Sequence, residues 1–329
     1  MKTKIILLGL LVIGFISAET NYFSDFRYRY EIENQDVEEN SRDRQRIRAR
    51  MGVKYKLEDL EVGIRIASGG NFIQSPHQTL GDIGTDDNVS FGLDQAYLKC
   101  HFGSSTLTLG KSGINLWQQN EILIDGDYSP EGISYSYTRF GVTLNSGYYL
   151  LTEKNWDYGI GQDENLLTSQ IIYGLNLGNI SSKTSITNAT MTTEVSSIVD
   201  SLEISNLEPT ISSNSISTQF KMGNHTISLD YHITDASNEN TALVAMFRTK
   251  ILGHSFGLWY YDVSEKGIIS HDYTQDNFPI TSAGFSGLRF QVGFKLCKSI
   301  NTDVRYYMQT MDVNNNKINR VQLNLNVSL

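Results

Sequence analysis

A chain of 329 residues has room for one large core or two ordinary domains, and a formal net charge of −9 makes it a poor partner for phosphate backbones. Its two cysteines, Cys100 and Cys297, are far apart and offer neither a disulfide framework nor a C-x-x-C metal pattern, so both are read as small structural residues. Nucleic-acid binding, a metal module and a disulfide-stapled fold are thereby set aside, and no cofactor is expected.

Residues 1–18 stand apart from the rest. Met1-Lys2-Thr3-Lys4 is basic, Ile5 to Ile16 is almost wholly apolar, and Ser17-Ala18 precedes the polar Glu19-Thr20. That order of regions predicts a secretory signal cleaved after Ala18. The apolar run of about 12 residues falls short of the ~20 needed to span a bilayer. Its loss removes Lys2 and Lys4 and no acid, so −9 becomes −11 over residues 19–329. Beyond it no apolar stretch approaches the length of a membrane helix.

From Tyr22 onward the sequence alternates with period two. Phe26, Tyr28 and Tyr30 alternate with Arg27 and Arg29. Next, Ile47, Ala49, Met51, Val53, Tyr55 and Leu57 alternate with Arg44, Arg46, Arg48, Arg50, Gly52, Lys54 and Lys56. Ile133, Tyr135 and Tyr137, then Ile227, Leu229, Tyr231 and Ile233, then Leu288, Phe290, Val292, Phe294 and Leu296, repeat the pattern. The last segment runs Val321, Leu323, Leu325, Val327, Leu329 against Gln322, Asn324, Asn326 and Ser328. Each reads as a β-strand with one apolar and one polar face.

The connections alternate too. Tight ones fall at 56–60, 101–105, 138–141, 176–179, 221–225, 251–254 and 295–301; long polar ones fall at 33–41, 69–90, 111–130, 151–166, 189–213, 234–240, 263–284 and 312–317. Seven turns and eight loops predict sixteen antiparallel strands of about 8–12 residues. The predicted fold is all-β: a transmembrane antiparallel β-barrel with short periplasmic turns and long extracellular loops. The apolar faces then point to lipid and the polar faces to the lumen, which reconciles a mean hydropathy of −0.28 with a membrane protein. Tyr22, Phe23, Phe26, Tyr28, Tyr30, Tyr148, Tyr149, Tyr260, Tyr261, Tyr306 and Tyr307 are placed in the interfacial girdles, where a ring can be buried and a hydroxyl kept wet.

In such a barrel a guanidinium on the lipid face would cost several kcal/mol, so the arginines must line the lumen. Arg27, Arg29, Arg44, Arg46, Arg48, Arg50 and Arg65 lie on the polar phase near the start of the chain, and Arg289, Arg305 and Arg320 near its end. Pairing of the last strand with the first joins them into one basic wall. The third long loop, 111–130 with the adjoining Glu131, carries Glu121, Asp125, Asp127 and Glu131. Folded inward, it would set carboxylates against that wall and narrow the opening. The other reading is that neighbouring acids such as Asp25, Glu31 and Glu61 pair with the arginines to brace the wall.

Several stretches carry a resemblance: SRDRQRIRARMGVKYKLEDLEVGIRIASG (41–69), SPHQTLGD (75–82), LDQAYLKC (93–100), LTLGK (107–111) and IDGDYSPEGISYSY (124–137). Across about residues 25–140 the sequence resembles the "putative porin" family of Gram-negative outer-membrane barrels. The resemblance implies a channel for passive diffusion of small hydrophilic solutes and ions, and, from the general porins, a homotrimer and a third loop that narrows the pore. The ending VQLNLNVSL departs from the aromatic terminus common among such barrels. Outer-membrane lipid and lipopolysaccharide are the expected surroundings, with Asp82, Asp86 and Asp87 either bridging through divalent cations or simply solvated. The alternative function is a surface adhesin or receptor using the long loops 189–213 and 263–284. An enzyme is not expected: six scattered histidines come with no G-x-S-x-G or H-E-x-x-H motif. Preference for anions or cations stays open, because the basic wall and the acidic loops argue in opposite directions.

Overall fold

The computed structural model describes residues 19–36, 41–69, 77–81, 90–120, 122–152, 163–192, 210–270 and 283–328. Residues 1–18, read above as an export signal, Glu121, and the acids Asp82, Asp86 and Asp87 lie outside the described residues. Seventeen β elements occur among them and no helix. In chain order they are β1 (Glu19–Gln35), β2 (Arg42–Leu57), β3 (Leu60–Ser68), β4 (Gln78–Thr79), β5 (Phe91–Phe102), β6 (Ser105–Lys111), β7 (Glu131–Arg139), β8 (Val142–Thr152) and β9 (Glu164–Leu177). The second half contributes β10 (Ile180–Thr192), β11 (Thr210–Met222), β12 (His225–Thr234), β13 (Thr241–Ile251), β14 (His254–Val263), β15 (Phe285–Lys295), β16 (Ile300–Met311) and β17 (Lys317–Ser328).

Sixteen of these form a closed antiparallel barrel, each pairing with its neighbours in sequence and β1 closing on β17 from Asp25↔Ser328 to Gln35↔Ile318. The two-residue β4 pairs with β2 at Arg46 and Ile47, just beyond the point where β3 stops. Closure leaves no edge, so every strand has both backbone faces hydrogen-bonded. The tight turns fall where their spacing predicted. At Phe140-Gly141 and Leu252-Gly253 both turn residues have positive φ, the two-residue hairpin geometry that matches strand twist. At the other end the strands outrun the expected 8–12 residues: β1 has 17 and β2 has 16. The predicted loops 33–41 and 189–213 are partly strand, because hairpin pairing continues beyond the length a membrane requires.

Burial is inverted relative to a soluble sheet. Along β12, Ile227, Leu229, Tyr231 and Ile233 are exposed, while Ser228, Asp230, His232 and Thr234 are buried. Two departures from the expected pattern stand out, each with its own cause. Tyr149, Tyr261 and Tyr307 point inward and are buried, whereas Tyr148, Tyr260 and Tyr306 point out. Adjacent residues of a strand face opposite ways, so only one of each pair can join a girdle. Moreover, β13 and β14 are apolar on both faces, with Ala242, Val244, Met246, Trp259, Tyr261 and Val263 buried inside. These interior residues are covered by loops that turn back into the barrel.

Aromatic rings also occupy the space that inward glycines leave open. A Cβ on Gly63 would sit 2.3 Å from the Tyr97 ring, and one on Gly52 would sit 2.5 Å from Phe23. The glycine that interrupts the basic row on β2 is thus the seat of Phe23, its partner across the strand pair.

Candidate functional site: the interior ladder and the loop that crosses it

The inward positions of β17, β1 and β2 stack as rungs, fixed by strand register. Starting from the long-loop end, Glu33 lies opposite Arg42 and Arg320 and ion-pairs with both. One rung further in, Glu31 accepts from Arg44 Nε at 2.6 Å and from Gln322 Nε2. The next two rungs set arginine against arginine: Arg29 opposite Arg46, and Arg27 opposite Arg48. On the β17 side they face amides, with Arg29 Nε donating to Asn324 Oδ1 at 2.8 Å and Arg27 Nε to Asn326 Oδ1 at 2.7 Å. Asp25 then accepts from Arg50 Nε at 2.8 Å and from Arg48 Nη2 at 3.0 Å. Like charges directly across a strand pair are destabilising, so the two central rungs need an acid from elsewhere.

For the Arg27–Arg48 rung that acid is Asp127, which also reaches Arg50 beside it. Arg48 Nη1 donates to its Oδ2 at 2.5 Å, and Arg50 Nη1 to its Oδ1 at 2.7 Å. Its backbone N–H in turn donates to Asp125 Oδ1 at 2.7 Å, and Asp125 is itself buried. Glu131 is placed differently. It is the first residue of β7, exposed and in register with Lys111.

The segment 112–130 reaches both sides of the interior. Asn115 N donates to Tyr149 Oη at 2.9 Å, and Trp117 exchanges two hydrogen bonds with Gln170 of β9 at 2.8 and 2.9 Å. Asn120 donates through Nδ2 to Asp230 of β12 at 2.5 Å and accepts from Trp259 Nε1 of β14 at 3.0 Å. Ser129 accepts from Gln95 of β5 at 3.0 Å. Between these polar anchors, Ile122 packs with the inward apolar side chains of β13 and β14. Leu123 and Ile124 pack with Tyr149, Leu151, Leu166, Ala189 and Met191. Full burial of each such side chain is worth about 1.5–3 kcal/mol. Tyr128 donates to the Leu151 carbonyl at 2.7 Å. Burial, with Glu164 and Glu131 nearby, holds its phenol above the ordinary value, so it stays a donor. A second inward segment follows β14: Ile268 and Ile269 are buried in the same two clusters.

The remaining arginines are also engaged. Arg65 ion-pairs with Asp94, the residue skipped where the β3–β5 register shifts. Arg305 Nε donates to Asp303 Oδ1 at 2.6 Å. Arg289 stands 3.8 Å over the Trp259 ring, and Tyr307 has Arg289 and Arg320 at 5.7 Å each. Bracing by Asp25 and Glu31 is therefore real, while Glu61 pairs with Tyr97 and Lys99 instead. Asn120, Asp230 and Trp259 carried no signal beyond sitting in the right loop or strand phase. The Ile122–Ile124 run was visible, but its partners depend on which strands lie across the barrel.

No curated protein sequence matches the chain. Among solved structures, Pseudomonas putida OprB superposes with a TM-score of 0.67 at 10% identity, covering 98% of this chain and 96% of that one. Salmonella typhi OmpF gives a TM-score of 0.66 at 9% identity, covering 95% and 98%. A triple mutant of the Rhodopseudomonas blastica porin gives 0.55 at 10% identity, covering 94% and 100%. At such identities the likeness is one of fold. Residues 18–153 match the family model described as "Putative porin". That stretch holds β1, β2 and the crossing loop, and the whole described length of the chain has the porin barrel fold.

Proposed function

We propose that the protein is a channel of the bacterial outer membrane, passing small hydrophilic solutes and ions by diffusion and not by catalysis. The loop 111–130 narrows its lumen against the basic wall formed by Arg27, Arg29, Arg44, Arg46, Arg48, Arg50, Arg65, Arg289, Arg305 and Arg320. The observation that carries this reading is the anchoring of one loop to opposite sides of the interior, through Asp127 to Arg48 and Arg50 and through Asn120 to Asp230. A loop that only capped the barrel mouth would have no reason to reach those rungs. The exposed apolar outer face supports contact with lipid. Residues 1–18 act as a cleaved export signal, and the barrel assembles as a homotrimer among lipid and lipopolysaccharide. The test is conductance of purified protein in planar bilayers, with liposome swelling in sugars of increasing size. Folded barrels that neither conduct nor admit sugars refute the channel.

A further inference from the structure

We infer that the constriction is built by two loops: the segment 264–270 that follows β14 is a wedge that holds Ile122–Ile124 of the crossing loop in the lumen, and so sets the size of solute admitted. The inference rests on the channel reading above and adds the residues that fix the width of the opening. The sorting of side chains carries it. Ile268 is buried in one apolar cluster with Ile122, against Val244 of β13 and Trp259 and Tyr261 of β14. Its neighbour Ile269 is buried in the other cluster with Leu123 and Ile124, against Leu166 of β9 and Met191 of β10. Two consecutive residues of one segment and three of the other thus divide the same way between two walls. Ile268 and Ile269 are 4% and 1% exposed, and Ile122, Leu123 and Ile124 are 2%, 3% and 1%. A loop resting on one wall would keep its lumen side wet, so burial this deep calls for a second layer. Ile268 and Ile269 supply part of that layer.

Backbone bonds hold the wedge from behind. Ser264 N donates to Thr241 O at 2.9 Å, Lys266 N to Glu239 O at 2.9 Å, and Thr234 Oγ1 to Lys266 O at 2.6 Å. Gly267 N closes the turn onto Ser264 O at 2.9 Å. These partners lie at the end of β12, the start of β13 and the connection between them, so the segment leans on the mouth of that hairpin. A Cβ on Gly267 would stand 2.2 Å from the Thr241 oxygen, so the chain passes too close there for any side chain. Before β15 begins, Gly284 O accepts from Asp312 N at 2.8 Å, and Ala283 and Phe285 join the first cluster. In the crossing loop, by contrast, Ile124 gives both backbone groups to Gln118 of the same loop, at 3.1 and 3.3 Å. Its hold on wedge and wall is therefore apolar, and Ile268 and Ile269 act on the opening as positioning residues, through the side chains that they back.

The test is single-channel recording in planar bilayers, with liposome swelling in sugars of increasing size. Ile268→Ala/Ile269→Ala should admit larger sugars than wild type and visit a larger conductance level. The ratio of time in that level to time in the main level should rise at least ~30-fold, the factor for the low end of what one isoleucine-to-alanine truncation costs in a core. Ile268→Leu/Ile269→Leu, which conserves volume, should keep wild-type conductance and size limit. Ile268→Ala combined with Ile122→Ala should raise the ratio by less than the product of the two single effects, since both empty one cluster. Heat-shifted gel mobility checks that each variant folds; should the alanine variants not fold, Ile268→Val and Ile269→Val, each one methyl group smaller, decide by the same ratio. Folded variants with wild-type conductance and size limit, or fully multiplicative effects at Ile268 and Ile122, overturn the inference and leave the channel standing. A silent wild-type barrel overturns both.

Discussion

Replacing Asp127 with alanine removes one carboxylate that two guanidinium groups share. Its side chain is 22% exposed, against 6% for Arg48 and 13% for Arg50. A hydrogen bond to a charged group contributes about 1.5–3 kcal/mol net, and partial exposure puts these two at the lower end. The Asp127 end of the loop is then held by about 3 kcal/mol, roughly a hundredfold in its attached-to-detached ratio. Asn120 and the Ile122–Ile124 run stay in place, so the barrel remains folded and only this end is released. Recorded in planar bilayers, Asp127→Ala should show larger single-channel conductance, more open-state noise and a reversal potential moved toward chloride. Asp127→Asn, which keeps one acceptor oxygen without the charge, should fall between the two. If Asp127→Ala matches wild type in conductance and noise, the contact with Arg48 and Arg50 does not hold the loop and the reasoning fails.

Three further expectations are independent of that one. Asn120→Ala strips a donor from buried Asp230 and an acceptor from Trp259, at about 1–3 kcal/mol for the groups left unpaired; loosening should appear as a shift in tryptophan emission and increased channel noise, and an unchanged spectrum with unchanged noise would count against the anchor. Gly63→Ala drives a methyl into the Tyr97 ring and disturbs its 2.8 Å bond to Glu61, so the unfolding midpoint in urea should fall by the equivalent of about 1–3 kcal/mol; no change would mean that the ring moves aside freely. Leu229→Arg on the outer face of β12 should cost about 2–4 kcal/mol in folding into bilayers, far more than Tyr22→Arg near the start of β1, where that side chain is 78% exposed. Equal costs at the two positions would argue that β12 does not face hydrocarbon.

Strand phase and connection length were legible without coordinates, because a β-strand turns its side chains with a period of two whatever surrounds it. The odd–even split of Arg44 to Arg50, the tight turns and the closure of last strand on first all follow from that local rule. So does the inward placement of the arginines, since the alternative places charge in lipid. The same rule, applied to Tyr148-Tyr149, Tyr260-Tyr261 and Tyr306-Tyr307, would have sent one ring of each pair inside.

What the sequence could not supply is everything that depends on diametric distance. Asp127 and Arg48 are 79 residues apart, and Asn120 and Trp259 are 139 apart. Nothing local says that one loop should touch both. Glu131 and Asp127 look alike in the sequence, yet Glu131 opens strand β7 and, of the two, Asp127 reaches the arginines. The apolar interior of β13 and β14 breaks the alternation because those side chains answer to Ile122, which arrives from the distant loop after β6, and to Ile268, from the segment that follows β14 and turns back inside. By itself the sequence determined a sixteen-stranded barrel and the side on which its charges lie, because strand geometry and the cost of charge in lipid are local. Only the tertiary structure decided which residues stand opposite one another across the closure and which arginines Asp127 reaches, because that depends on register and on where one loop comes to rest.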